Sequence, residues 1–521
     1  MLRLRNYIDG RWCEAIGAAA DGANASAAKA RRAGGAASAA GASGAGGAGG
    51  QWIDVHEPAT GAVYATVADS GAADIDAAVD AAARAFGGWS GLAAAERSRI
   101  LLKLADLIDA NLEVLAQAES KDSGKPIALA RSVDIPRSAS NFRYFATAIL
   151  HTAGEMHEMA SDLPGGASAL NYTLRRARGV AGLISPWNLP LYLLTWKLAP
   201  ALATGNTVVA KPSEVTPATA TLLCELAGQA GLPPGVMNIV HGRGATAGAA
   251  LVEHPRVPTI SFTGSTGVGR WIAERAGRQL KRVSLELGGK NPFIVFADAD
   301  LDLAVDTAVR AAFTNQGQIC LCGSRLLLQE SIADDFVKKL VERAGERVIG
   351  DPGNDRTQHG AMVSAEHMAK VHSMVEKARA LGGKVLCGGS PVDTEMLPKR
   401  CRGGWFYPPT VITGLDPACE VEQQEIFGPV VTVQRFGDEA EALQLANGTE
   451  YGLAATVFTR DASRLHRVSA ALDAGLVRAN CWMVRDLRTP FGGAKQSGVG
   501  REGGLEALRF FTEPKNVCVA I

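Results

Sequence analysis

The sequence predicts an α/β protein of two or more domains, built on open, mostly parallel sheets with helices on both faces. Three observations carry this expectation. Between Gly179 and Phe262, short apolar runs rich in β-branched residues alternate with stretches of helical periodicity, the pattern of strands joined by crossover helices. After Asn291 the same alternation starts again. The chain has 521 residues, too many for one ordinary hydrophobic core.

Taken in order, Leu4 to Trp12 reads as a short strand with a turn at Asp9-Gly10. Ala15 to Gly50 is almost only Ala, Gly and Ser, with a few charges including Arg31-Arg32. Nothing in it can bury a core, so a disordered low-complexity insertion or a marginal Ala-rich helix is expected. Order resumes at Trp52 with a strand at Ile53-Asp54-Val55, a turn at Glu57-Pro58-Ala59-Thr60-Gly61 and a strand from Val63 to Val67. A helix begins at Asp74, with Ile75, Ala78, Val79 and Ala82 at helical spacing. Leu101, Leu104, Leu107 and Ile108 mark a second helix, and a third runs from about Ile135 through Tyr144. Strands are then expected at Gly179–Ile184, Thr207–Ala210, Val236–Val240 and Thr259–Phe262, with helices at Leu191–Thr204 and Ala218–Gly231. The second set begins with Phe293–Phe296, a helix over Leu301–Thr314 and Ser324–Leu328.

Composition narrows the function classes. The chain is 47% hydrophobic and 20% charged with a formal net charge of zero, so nothing argues for nucleic acid or an anionic membrane as partner. No apolar run approaches the roughly 20 residues that span a bilayer. Met1 to Gly10 lacks an apolar h-region, so no secretory signal is expected. The nine cysteines form no Cys-x-x-Cys pair, and Cys320 and Cys322 are spaced wrongly for a zinc knuckle. We expect no metal site, and free thiols in a reducing cytoplasm.

Chemistry concentrates in a few stretches. Cys320, ending Asn315-Gln316-Gly317-Gln318-Ile319-Cys320, is a candidate covalent nucleophile, since a cysteine reacts as an accessible thiolate. Cys322 is its neighbour, with packing as the simpler role. Gly264-Ser265-Thr266-Gly267-Val268-Gly269 follows an expected strand and opens an expected helix, a setting that lets backbone N–H groups meet a pyrophosphate. Gly242-Arg243-Gly244 precedes it and can line the same crevice. Lys211 and Glu214 follow a strand end, where α/β sheets bind ligands.

Together and in order, Pro186-Trp187-Asn188, Lys211-Pro212-Ser213-Glu214, Phe262-Thr263-Gly264-Ser265-Thr266-Gly267, Leu285-Glu286-Leu287-Gly288-Gly289-Lys290, the Cys320 run and Glu425-Ile426-Phe427-Gly428-Pro429 resemble the aldehyde dehydrogenase superfamily. The resemblance runs from about Trp52 to the C-terminus. It implies a Rossmann-type NAD domain (51–160 and 177–289), an α/β catalytic domain (290–499) and a small oligomerisation sheet (161–176 and 500–521), after an N-terminal strand (1–14) and the insertion (15–50). It implies a homodimer or homotetramer. It implies Cys320 as nucleophile, Asn188 with the Cys320 N–H as oxyanion donors, and Glu286 as the base that activates water. On the cofactor side it implies Ile184, Pro186, Trp187, Lys211, Ser213, Glu214, Gly244, Gly248, Phe262, Thr263, Gly264, Ser265, Val268, Leu287, Glu425 and Phe427. Glu214 on the adenosine ribose would accept from its hydroxyls and repel a 2′-phosphate, favouring NAD over NADP. Relatives that transfer the acyl group to coenzyme A generally lack the glutamate found here at Glu286.

Three stretches go further: Pro186 to Lys197, Cys320-Leu321-Cys322 and Asn480 to Gly493. They look like the branch of the family that oxidises 2-aminomuconate and 2-hydroxymuconate 6-semialdehydes. Such substrates carry a carboxylate remote from the aldehyde, which a guanidinium can grip bidentately. Arg485 is the expected grip and Arg137 a second anchor, while Arg143 and Arg488 read more simply as surface residues. The alternative is a broad-specificity dehydrogenase of neutral aldehydes, which would have no use for either anchor.

Overall fold

A computed structural model of the chain describes residues 1–16, 51–162 and 165–521. The Ala/Gly-rich insertion expected over 15–50 therefore lies, beyond Ile16, outside the described residues.

The first large sheet has eight strands in the order Gly498–Val499, Arg282–Glu286, Thr259–Thr263, Val180–Ile184, Thr207–Lys211, Met237–Ile239, Asn6–Ile8, Arg11–Cys13. Its five central strands run parallel, and both edges are closed by antiparallel additions. The central runs are buried on both faces, which is why they read as continuous apolar segments rather than alternating ones. From Val180–Ile184 the chain builds outward to Met237–Ile239, then returns to place Thr259–Thr263 on the other side. That reversal opens a crevice at the carboxyl ends of the strands. Register lines those ends up: Ile184 lies opposite both Lys211 and Phe262, and Thr263 lies opposite Glu286.

The second sheet has seven strands in the order Lys384–Cys387, Thr410–Thr413, Val430–Phe436, Gly323–Gln329, Asn291–Val295, Ala454–Phe458, Leu476–Ala479. All are parallel except Lys384–Cys387. Helices Leu301–Phe313 and Glu330–Gly345 pack on one face and Glu439–Asn447 with Ala462–Ala471 on the other. A third sheet pairs Ala169–Ala177 antiparallel with Thr512–Ala520 on one side and Met156–Met159 on the other. Among the described residues, no helix is long and apolar enough to cross a membrane.

The sequence reading needs correction at its edges. The single N-terminal strand is three strands: Leu2–Leu4 joins Val63–Ala68 in a small separate sheet, and Asn6–Ile8 with Arg11–Cys13 form a hairpin on the first large sheet. Asp9 and Gly10 both have positive φ, 53° and 75°, the tight turn whose twist suits a hairpin. Gly498–Val499, expected in the second domain, crosses back to pair with Arg282–Glu286. The small sheet begins at Met156, earlier than expected, and residues 504–510 form a helix rather than a strand.

Candidate active site

The Cys320 loop joins helix Leu301–Phe313 to strand Gly323–Gln329. Asn315, Gln316 and Gly317 take three consecutive left-handed conformations, φ 54°, 55° and 69°, a strained run that persists only when its surroundings hold it. They do. The Gln316 amide donates to Ala361 O at 2.9 Å and its oxygen accepts from Gly360 N, while Gln318 Oε1 accepts from Val363 N. Gly317 lies so close to Gly428 that a Cβ would fall 2.0 Å from its carbonyl oxygen. After the cysteine, Asn291 Nδ2 donates to Cys320 O (2.7 Å) and Cys322 O (2.8 Å), and Trp482 Nε1 donates to Leu321 O at 2.9 Å.

Cys320 itself is half-buried at the foot of a cleft of about 210 Å³. Pro186, Trp187, Asn188, Thr263, Gly264, Ser265, Leu287, Glu425 and Phe427 line the same cleft. Burial pushes the Cys320 thiol well above its ordinary range, with Glu425 and Glu286 adding to the rise and Arg485 opposing it. Burial also raises Cys322, to about 12, and that side chain, unlike Cys320, is closed off from the cleft. Asn188 is buried; one N–H of its amide donates to Gln318 O at 2.9 Å. An amide carries two such donors, so one remains for a ligand.

Glu286 ends the strand Arg282–Glu286 and is 4% exposed, yet among the described residues neither carboxylate oxygen has a hydrogen-bond partner. Burial and then the neighbouring Glu502 raise its pKa well above the carboxylate range, against Lys197, Arg485 and Arg501. Lys197 is committed elsewhere: Nζ meets Glu502 at 2.7 Å and Ser261 at 3.0 Å.

A second cleft of about 470 Å³ opens over the carboxyl ends of Val180–Ile184 and Thr259–Thr263. Ile184, Gly244, Gly248, Phe262 and Val268 line it, with Val252 and Trp271 completing an apolar wall. Lys211 stands under Gly248 and holds Glu214 at 2.8 Å and Gly242 O at 2.7 Å. Burial works against the Glu214 carboxylate, but Lys211 outweighs it and keeps its pKa below the ordinary value. Ser213 is buried beside them. Glu425 sits in the first cleft, accepts from Gly289 N at 3.0 Å and is raised by burial to about 7.

Arg485 enters from the loop after Leu476–Ala479. Its guanidinium lies 4.1 Å from the ring centroids of both Trp196 and Phe491, and one nitrogen donates to the Tyr192 hydroxyl at 2.6 Å. Its Nε and other terminal nitrogen are buried and have no partner among the described residues. Arg137 is half-buried on helix Ile135–Ala148, one turn before Asn141, whose amide reaches Tyr192 O at 3.2 Å. It lines neither cleft described above. Arg143 pairs with Asp106 and Asp109, and Arg488 with Asp486, all on the surface.

Several site residues escaped the sequence reading. His367 packs on Trp187 and bonds Phe427 O at 2.7 Å, steadying Phe427 at φ 60°. Burial lowers its pKa to about 4, so the ring is neutral and donates. Tyr192, Trp196 and Phe491 lie within the stretches Pro186 to Lys197 and Asn480 to Gly493 that the sequence singled out, but their meeting around Arg485 shows only in the fold.

The chain matches the aldehyde dehydrogenase family over residues 46–517. It is 54% identical to a 2-aminomuconic semialdehyde dehydrogenase of Danio rerio over 90% of this chain and 95% of that one. It is 48% identical to a 2-hydroxymuconic semialdehyde dehydrogenase of Pseudomonas sp. (strain CF600), over 89% and 95%. The crystal structure of PnpE in complex with nicotinamide adenine dinucleotide superposes with a TM-score of 0.89 at 43% identity, over 99% and 98% of the two chains. The protein therefore belongs to the aldehyde dehydrogenase family. It is an oxidoreductase acting on aldehydes, with NAD as acceptor.

The two clefts suit NAD. Gly244 and Gly267 present bare backbone to the larger one, where a Cβ would meet nothing within 4 Å and would project into the space. Helix Thr266–Gly277 starts at its edge, a favourable place for a phosphate. The buried hydroxyl of Thr263, which lines the smaller cleft, has no partner among the described residues.

Proposed function

We propose that the protein oxidises an aldehyde carrying a carboxylate at its far end, 2-aminomuconate or 2-hydroxymuconate 6-semialdehyde, to the dicarboxylic acid. The names of the similar proteins from Danio rerio and Pseudomonas support this substrate class. The observation that carries it is Arg485: a guanidinium clamped between two aromatic rings with two buried, unpartnered nitrogens. Leaving charged donors buried and unpaired is costly unless something else fills them. A carboxylate does so in one bidentate contact. Arg137, on the helix face that touches Tyr192, is the proposed second anchor.

In this reading Cys320 gives its thiol proton to water in the cleft and adds to the aldehyde carbon as the thiolate. The free N–H of the Asn188 amide and the Cys320 N–H, which makes no hydrogen bond within the described residues, stabilise the oxyanion of the thiohemiacetal. NAD, when bound, supplies the hydride acceptor that leaves a thioester on Cys320. Lys211, Ser213 and Glu214 would hold the adenosine ribose, with Ile184, Phe262 and Val268 around the base. Gly264, Ser265, Gly244 and Gly248 would lie along the phosphates, and Glu425, Phe427, Pro186, Trp187, Thr263 and Leu287 around the nicotinamide end. Glu286, with both oxygens free, takes a proton from the water that attacks the thioester. Cys320 leaves as thiolate and the acid is released.

The test is the ratio of kcat/KM for a muconic semialdehyde to that for hexanal. Arg485→Ala loses a charge-assisted pair worth about 1.5–3 kcal/mol, so the ratio should fall roughly tenfold to a hundredfold. An unchanged ratio would return the enzyme to the broad-specificity reading.

We further propose a homo-oligomer assembled through the small sheet, whose edge strands Met156–Met159 and Thr512–Ala520 leave backbone groups unpaired. Removing residues 512–521 should lower the sedimenting mass; an unchanged mass refutes it. The nine free thiols support a cytoplasmic setting, which fractionation of cells would check.

A further inference from the structure

Strand Leu476–Ala479 delivers the chain to the loop that carries Arg485, and Arg478 lies within it, opposite Thr456. Arg478 is 8% exposed. A guanidinium this deep ordinarily has its donors filled. Arg325, also buried, shows the ordinary case: it donates to Lys290 O, Leu445 O and Ala446 O at 3.0, 2.7 and 2.7 Å. Arg478 does not follow it. Among the described residues its one hydrogen bond is a long one, Nε to Val484 O at 3.4 Å, and it has no ion pair. Val484 is the residue before Arg485, so the side chain reaches toward the Arg485 loop. Burial lowers its pKa and the Arg485 guanidinium adds to the fall, while Cys481, Cys320 and Tyr192 are the other titratable groups it interacts with. Two guanidiniums are thus carried by one strand and the loop that follows it, linked through Val484, and among the described residues no carboxylate pairs with either. Their mutual repulsion is relieved by an incoming ligand rich in acceptor oxygens.

Resting on the reading of Arg485 as the carboxylate anchor, we propose that Arg478 is a specificity-determining residue that binds an oxygen on the carbon next to that carboxylate. The substrate is then the 2-hydroxy semialdehyde, or its enolate or 2-oxo form, in preference to the 2-amino one. A guanidinium is donor-only. A hydroxyl, enolate or ketone oxygen accepts from it, whereas an amino group competes as a donor and is repelled if protonated.

The experiment measures kcat/KM for 2-hydroxymuconate 6-semialdehyde, 2-aminomuconate 6-semialdehyde, 6-oxohexanoate and hexanal in wild type, Arg478→Gln, Arg478→Lys and Arg485→Ala, with melting temperature as the control for folding. Wild type should favour the hydroxy over the amino substrate by about tenfold, and Arg478→Gln should erase that gap while changing 6-oxohexanoate by less than about threefold. Arg478→Lys should restore part of the gap, since a point charge replaces only part of the fork. An equal loss for all four aldehydes would make Arg478 a brace for Val484 and overturn the proposal. So would no loss for any, or a wild type that prefers the amino substrate. The carboxylate reading is judged separately: Arg485→Ala must lower 6-oxohexanoate relative to hexanal, and failure there leaves the hydroxy-to-amino ratio of Arg478→Gln as an independent result.

Discussion

Two of the groups of buried charge in this molecule differ in what is left open. In one, Lys125 is fully buried between Glu119 and Asp134. Glu119 also accepts from Leu191 N and Thr219 Oγ1, and Asp122 from the Tyr64 hydroxyl and Ala218 N. These contacts tie helix Leu112–Ser123 to the helical turn Ala130–Asp134 and to helices Pro190–Ala203 and Ala218–Ala230, and almost every donor and acceptor is used. In the other, Lys197 and Glu502 close on each other and on Ser261, but Glu286 and Arg485 beside them keep two oxygens and two nitrogens without partners. Buried charge that serves the fold is satisfied by the protein, while charge that serves a reaction keeps its valences for a ligand.

Substitutions can break this contrast. The largest effect is expected from Cys320→Ala, which should abolish NADH formation while calorimetry still records NAD binding. Near-full turnover would instead point to Cys322. Next, Lys125→Met strands two buried carboxylates and should cost about 3–5 kcal/mol of stability, read by denaturant unfolding, with kcat per folded molecule unchanged. A loss of kcat without loss of stability would move that cluster into the active site. The smallest effect concerns cofactor choice. Wild type should prefer NAD, and Glu214→Ala should narrow the gap to NADP by roughly tenfold, because Lys211 is left unpaired where a 2′-phosphate would sit. A wild type preferring NADP would contradict the ribose assignment.

The same contrast explains what the sequence disclosed. The central strands were legible because both faces are buried and the runs are apolar throughout. Helix Leu112–Ser123 was not, since the face it buries carries Glu119, Ser120, Asp122 and Ser123, and a polar buried face removes the apolar periodicity that marks a helix. Strand Arg282–Glu286 hid for a related reason, ending on the charged Glu286 that is nevertheless buried. Cys320, Glu286, Asn188 and Glu214 could be found from contiguous motifs. The aromatic clamp on Arg485 could not, because Trp196 and Phe491 are far apart in the chain and meet only in the fold. Arg478 was passed over because a charged residue in a strand reads as facing solvent.

The account rests on Glu286 acting after, not before, the covalent step. Its raised pKa adds a pH signature: a base must lose its proton to work, so the deacylation rate should rise with pH through a limb well above the ordinary carboxylate range. The direct measurement is single turnover of Glu286→Gln with NAD and a semialdehyde, followed by mass spectrometry of the Cys320 peptide. The expected result is a burst of NADH near one equivalent, an acyl adduct on Cys320, and steady turnover slower by about 100- to 10,000-fold. Wild-type steady turnover with no burst and no adduct would contradict it.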